Sequence, residues 1–429
     1  MVSLLQQVRL LDPVANTDQV VDVLIQDGVI QSIESHLSNI PADAQIQPCN
    51  GLILAPGLVD LYSHSGEPGF EDRETLDSLM QAAIAGGFTR LNILPNTHPA
   101  IDNPTTVAWI TRKTQSIPQR PTPHVSCWAA LTTNTEGQHM TELLELAQAD
   151  ITGFTDGKPI TNLTLLRRLL EYAQPLNTAI ALWACDPGLA GTGIIREGVN
   201  SMRFGLSGIP VMAETASLAA ILECVAEIGT PVHLMRISTA RSVELIRLAK
   251  SRGVPITAST TWLHLLLDTK ALASYDPNLR LDPPLGNPED RAAIAQAVKE
   301  GVIDAIAVDH TPYTYEEKTV SFGEAPPGAI GLELALPLLW QAFVATEQWS
   351  ALELWRALSS RPIECLGQNP IAIEAMPNEK GASSKAPSEF ILFDPNQTWN
   401  ATPQSLLSRS NNTFWLNKPL TGKVLQVWV

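Results

Sequence analysis

The sequence predicts an α/β protein built on a parallel (β/α)8 barrel, and two features of the chain carry that prediction. Apolar runs of four to six residues alternate with longer amphipathic segments through the middle of the chain, whereas both ends are β-rich and lack the helical period. Short buried strands alternating with helices form parallel sheets covered on both faces. Eight such units in about 320 residues suit a closed barrel better than an open doubly wound sheet, which stays open as the alternative.

At the amino end, Val20 to Ile25 is an apolar run, Asp27-Gly28 is a hairpin turn signal, and Val29 to Ile33 resumes the strand pattern. The central strands are expected at Leu91 to Leu94, Ile151 to Phe154, Ala179 to Leu182, Pro231 to Met235, Pro255 to Ala258 and Ala305 to Val308. Helices are expected between them at Thr75 to Ala85, Asn162 to Tyr172, Ala216 to Ile228, Arg241 to Arg252 and Pro288 to Gly301. Pro377 to Pro387 reads as an exposed loop. Strand patterns return at Phe390 to Phe393 and at Pro419 to Val429, the latter around a break at Thr421-Gly422.

Of the 429 residues 45% are hydrophobic and 17% charged, and the net charge is -16. Phosphate backbones require clusters of Lys and Arg, so a nucleic-acid partner is not expected. The longest apolar stretch, Ala329 to Ala345, is broken by Glu333, Pro337 and Gln341, so no membrane span is expected either. The first residues lack the basic and apolar regions of a secretory signal. Cys49, Cys127, Cys185, Cys224 and Cys365 show no CxxC spacing, which fits reduced thiols and a cytoplasmic protein.

Reacting groups of a parallel barrel sit at the carboxyl ends of its strands. Tyr62 and His64 lie two apart after the first apolar run, so they share one face of a strand. Asp156 follows the Ile151 strand, Trp183 the Ala179 strand, Arg236 the Val232 strand, and the pair Asp309-His310 the Ala305 strand. A lone His at such a place is more often a hydrogen-bonded core residue than a ligand, and a lone Asp before Gly is usually turn chemistry. An adjacent Asp-His pair at a strand end is the stronger candidate.

Several segments in order resemble the dihydroorotases of the amidohydrolase superfamily: Ala55 to Gly69, Ala85 to Thr89, Leu94 to Thr97 and Phe154 to Pro159. The likeness continues through Gly205 to Glu214, Pro277 to Pro284, Val308 to Lys318 and Gly328 to Glu333, covering essentially the whole chain. The resemblance implies that both ends pair in a small β-sandwich, with residues 1–54 and 377–429 flanking a barrel of 55–376. It implies zinc held by an HxH pair, an Asp, two further His and a final Asp. The metal would generate hydroxide, and the last Asp would shuttle the proton between N-carbamoyl-L-aspartate and dihydroorotate.

Only part of that set is present. His64 stands at the second His of the pair, but Tyr62 stands at the first. Asp156 and Asp309 match the two acids. Trp183 and Arg236 stand where ligand His residues are expected, and His233 matches a non-ligand His. Gly66 replaces an Arg that would fork onto a substrate carboxylate, and Tyr313 replaces a His. Asn96, Asn278 and His310 are the expected substrate contacts. His64, Asp156 and Asp309 form an incomplete ligand set, so zinc is expected to be absent or weakly held. Arg236 is expected to neutralise Asp309 or Asp156 in the metal's place.

Two functional expectations follow. One is a catalytically inactive dihydroorotase-like protein, homo-oligomeric and serving as a structural or regulatory partner of aspartate carbamoyltransferase. The other is an active zinc-dependent cyclic amidohydrolase working with fewer ligands.

Overall fold

In the computed structural model, residues 2–117, 121–370, 372–375 and 389–429 are described. The chain opens with β1 (Val2–Asp12), β2 (Thr17–Gln26), β3 (Val29–Glu34), β4 (Gln45–Pro48) and β5 (Ile53–Pro56). Asp27 and Gly28 both have positive φ, 50° and 81°, which closes the predicted tight hairpin between β2 and β3. Gly57 joins β5 to the barrel, and a Cβ there would lie 2.1 Å from Thr89 Oγ1. Only glycine fits this crossing.

The barrel strands are β6 (Leu58–Ser63), β7 (Phe88–Ile93), β8 (His124–Ala129), β9 (Gly153–Phe154) and β10 (Ala179–Trp183). An excursion carrying the short parallel pair β11 (Ile195–Arg196) and β12 (Gly208–Ile209) follows. Then come β13 (Val232–Met235), β14 (Ile256–Thr261) and β15 (Ala305–Ala307). All eight barrel strands are parallel and run in order around the sheet. Closure is made just past the strand ends, where Asp309 N donates to Tyr62 O at 3.1 Å and His64 N to His310 O at 2.8 Å. Every residue of β6 is buried, as expected for a strand covered by helices outside and by side chains within. Leu61, Tyr62, Trp128, Trp183 and Met235 fill the lumen, and Trp128 Nε1 donates to Leu61 O at 2.8 Å.

The predicted helices appear as Leu76–Ala85, Leu163–Ala173, Met212–Ile228, Ala240–Ser251 and Pro288–Glu300. Thr75 and Asn162 cap the first two by accepting from backbone N–H groups three residues on. Strand β8 and the helix Pro104–Gln115 were not expected, because His124 and Ser126 break the apolar run.

The last strands, β16 (Phe390–Asn400) and β17 (Pro419–Trp428), join β1 to β5 in one seven-stranded mixed sheet. Its apolar cluster of Leu5, Val8, Val23, Ile25, Phe390 and Leu392 is separate from the barrel core. Strand β17 is not broken at Thr421-Gly422. Gly422 has φ 105° beside a register shift between the Asp394 and Thr398 pairs, so the ladder absorbs it as a bulge. The expected loop 377–387 and the boundary at 376/377 lie outside the described residues. Among the described residues no helix is long and apolar enough to cross a membrane. All five cysteines are free.

Candidate functional site

A cavity of about 350 Å³ opens at the carboxyl ends of the barrel strands. His64, Asn96, Lys158, Trp183, Arg236, Asp282 and Asp309 are among its lining residues. Its floor is organised around one guanidinium. Arg236 Nε donates to Asp309 Oδ2 at 2.8 Å and Nη2 to Asp309 Oδ1 at 2.6 Å, a two-pronged fork. Nη1 donates to Gly157 O at 2.9 Å. The Trp183 ring centroid lies 4.9 Å from Cζ and that of Tyr62 5.7 Å, both within cation–π reach. Arg236 thus pairs with Asp309 and not with Asp156.

Both members of the pair stand in left-handed backbone conformations, with φ 56° at Arg236 and 53° at Asp309. Such conformations cost about 1–2 kcal/mol each for residues with a Cβ, so the surroundings must enforce them. For Arg236 the enforcement is a hydrogen-bond chain through the lumen. Its backbone N–H donates to Tyr62 Oη at 3.2 Å, Tyr62 Oη lies 2.9 Å from Ser259 Oγ, and Ser259 Oγ lies 2.8 Å from His233 Nε2. His233 Nδ1 is satisfied by Thr257 Oγ1 at 2.8 Å. Burial lowers the His233 pKa to about 3, so the ring stays neutral and can accept within this chain.

His64 Nε2 lies 3.4 Å from Arg236 Nη2. Arginine only donates, so this contact requires the tautomer with the proton on Nδ1. Burial first, then the Arg236 charge, lowers the His64 pKa to about 4 against the pull of Asp309. Asp156 faces elsewhere: Thr132 N donates to it at 2.9 Å and Thr132 Oγ1 at 2.5 Å, while burial raises its pKa above the usual carboxylate range. Asn96 lines the cavity and donates from Nδ2 to Asp156 O at 2.8 Å, but its buried Oδ1 has no partner among the described residues.

Two other predicted contacts do not reach the cavity lining. His310 is buried, with Nε2 3.3 Å from Glu74 Oε2 and Nδ1 accepting from Gly331 N at 3.2 Å. Asn278 sits in a short helical turn, Pro277–Leu279. In its place the cavity receives Asp282, a carboxylate raised by burial and acted on by Arg236, Arg280 and Arg196. The signal for Asp282 was present as the Asp-Pro-Pro run at the end of the same motif.

The zinc implied by the resemblance does not fit these residues. Zinc needs three or four lone pairs converging at about 2.0–2.3 Å. Here a permanent cation touches both His64 and Asp309, and Asp156 is turned to Thr132. Among the described residues no three His, Cys, Asp or Glu side chains are grouped to hold a metal ion.

The Dihydro-orotase-like family model matches residues 51–242. Over 98% of both chains the sequence is 45% identical to a probable dihydroorotase-like protein of Synechocystis sp.. It is 35% identical to a dihydroorotase of Syntrophus aciditrophicus over 99% of this chain and 97% of that one. The chain belongs to the dihydroorotase-like family. The barrel with its terminal sheet also superimposes on the L-hydantoinase (dihydropyrimidinase) of Arthrobacter aurescens. That match has a TM-score of 0.81 and 18% identity, covering 99% of this chain and 94% of that one. In this dihydroorotase-like chain the strand ends are joined by the Arg236–Asp309 fork.

Proposed function

We propose that this dihydroorotase-like chain is catalytically silent and serves as a structural or regulatory subunit, with aspartate carbamoyltransferase as its partner. The observation that carries the reading is the Arg236–Asp309 fork. Both oxygens of the one acid expected to move a proton are committed to a group that cannot give up its own proton at neutral pH. A guanidinium also cannot generate a hydroxide. Its contacts instead neutralise a carboxylate that would be costly to leave unpaired in the barrel. The carbamoyltransferase as partner rests on the family resemblance alone.

The test is direct. Purified protein is analysed for bound zinc and assayed in both directions between N-carbamoyl-L-aspartate and dihydroorotate. The reading expects neither stoichiometric zinc nor turnover, together with co-purification of a carbamoyltransferase; zinc with turnover overturns it. A second reading, an active cyclic amidohydrolase, is favoured by the cavity itself. Trp183 and Asn96 line it, and the buried Trp183 Nε1 and Asn96 Oδ1 have no partner among the described residues, a donor and an acceptor left for an amide if their side chains turn inward. Turnover of a cyclic amide would select this second reading.

A further inference from the structure

We propose that the barrel mouth is a guanidinium-binding cage whose occupant, the Arg236 head group, is tethered to the chain. Once the tether is cut, the cage takes a free guanidinium-class cation in preference to a metal ion. This inference rests on the reading of Arg236 as standing in the metal's place, and it deepens that reading by assigning the site a ligand class.

The cage is complementary to a flat, delocalised cation. Asp309 supplies two in-plane acceptors at 2.8 and 2.6 Å, Gly157 O a third at 2.9 Å on Nη1, and the His64 lone pair a fourth at 3.4 Å on Nη2. The Trp183 ring lies 4.9 Å from the central carbon. These acceptors are spread around the rim of a planar group, whereas a metal ion wants donors converging on one point. One of them is a backbone carbonyl, which leaves a single imidazole and a single carboxylate, short of the three side-chain ligands that zinc takes.

The walls do not depend on the occupant. Asp309 is fixed through its own backbone, donating to Tyr62 O at 3.1 Å, while Thr311 Oγ1 donates to its carbonyl at 2.9 Å. Gly157 N donates to Thr155 Oγ1 at 3.0 Å. Tyr62 is held by the chain to Ser259 and His233. The cage also opens to the cavity, since His64, Gly157, Trp183 and Asp309 all line it, so a small cation has a route in.

The tether can be cut without backbone strain. Arg236 has φ 56°, a conformation that glycine adopts freely, so Arg236→Gly removes the side chain and relaxes the main chain. The full-length variant is melted with about 10 mM guanidinium or methylguanidinium chloride, far below the molar range that denatures. Controls are equal sodium chloride, zinc chloride, and the unmodified protein under each condition. The expected result is a lowered Tm that rises by at least about 2 °C with either guanidinium cation. Neither zinc nor sodium should raise it, and the unmodified protein should not respond to guanidinium. Stabilisation by zinc with stoichiometric metal uptake, or no response to any cation, overturns the cage. If the glycine variant does not fold alone, its refolded soluble yield with and without methylguanidinium gives the same readout. Zinc and turnover in the unmodified protein would defeat the functional reading, whereas failure of rescue in the variant defeats only the cage.

Discussion

Among the described residues two arginines are buried, Arg236 at the barrel mouth and Arg196 in the β11 excursion, and they are treated differently. Arg236 has each of its nitrogens engaged and an aromatic ring against it. Arg196, 1% exposed, donates from Nη2 to Ser238 Oγ at 2.7 Å and stands 3.7 Å from Glu214, with Nε and Nη1 unpartnered among the described residues. Their acids differ too. Asp309 receives side-chain donors from Arg236, whereas Glu214 also accepts from Ser238 N, Ser238 Oγ and Thr239 Oγ1. A buried ion pair is hard to dispense with when the acid has no other donors, and easily replaced when hydroxyls and amides already satisfy it.

Substitutions can break this contrast. Arg236→Ala should cost about 3 kcal/mol in urea unfolding, because Asp309, half-buried at the cavity floor, loses both of its side-chain donors. Arg196→Met should cost under about 2 kcal/mol, since Glu214 keeps three donors and methionine fills the space. Equal losses from the two would show that the difference in partners carries no energetic weight. Tyr62→Phe should cost about 1–2 kcal/mol by leaving Arg236 N and Ser259 Oγ without their shared partner.

The smallest effects sharpen the comparison through neighbouring histidines. The Arg236 charge contributes to lowering the His64 pKa, and the Arg196 charge to lowering that of His264, both behind burial and both to about 4. Arg236→Met should therefore raise the His64 titration in NMR and leave His264 in place, and Arg196→Met should do the reverse. Both rings titrate below the ordinary 6.5 in the fold, so the unfolded chain takes up their protons first. Unfolding free energy should fall as pH drops from about 6.5 towards 4, and these two groups should contribute no slope above that window. A stability that rose on acidification through that range would contradict their neutrality.

Much of the architecture was legible because it rests on local signals. Alternating apolar runs marked six central strands, and Asp27-Gly28 marked a hairpin that forms. That Arg236 would neutralise Asp309 or Asp156 was legible for a topological reason: strand-end residues of a closed barrel point to one mouth, and opposite charges there must compensate each other, while the choice of Asp309 came from the structure. What escaped was set by long-range orientation. Asp156 turns to Thr132, and His310 turns outward to Glu74, a residue more than two hundred positions earlier. Nothing near either residue in the chain announces its partner. Asn278 and Asp282 lie four apart in one loop, and which of them reaches the cavity depends on how that loop runs, not on periodicity. Strand β8 was missed because His124 and Ser126 interrupt the expected apolar pattern.

The terminal sheet has a consequence in time. Strand β5 pairs with β16, Ile53 opposite Phe393, so one edge of a fully buried strand is completed only by residues near the end of the chain. At synthesis rates of 5–20 residues per second, that edge waits roughly 20–70 s for its partner. The whole barrel emerges from the ribosome during this interval, while β5 offers unpaired N–H and C=O groups to any other strand nearby. The seam that unites the two ends of the polypeptide is therefore among the last to close, followed only by the pairing of β16 with β17, and it leaves a nascent chain open to mispairing.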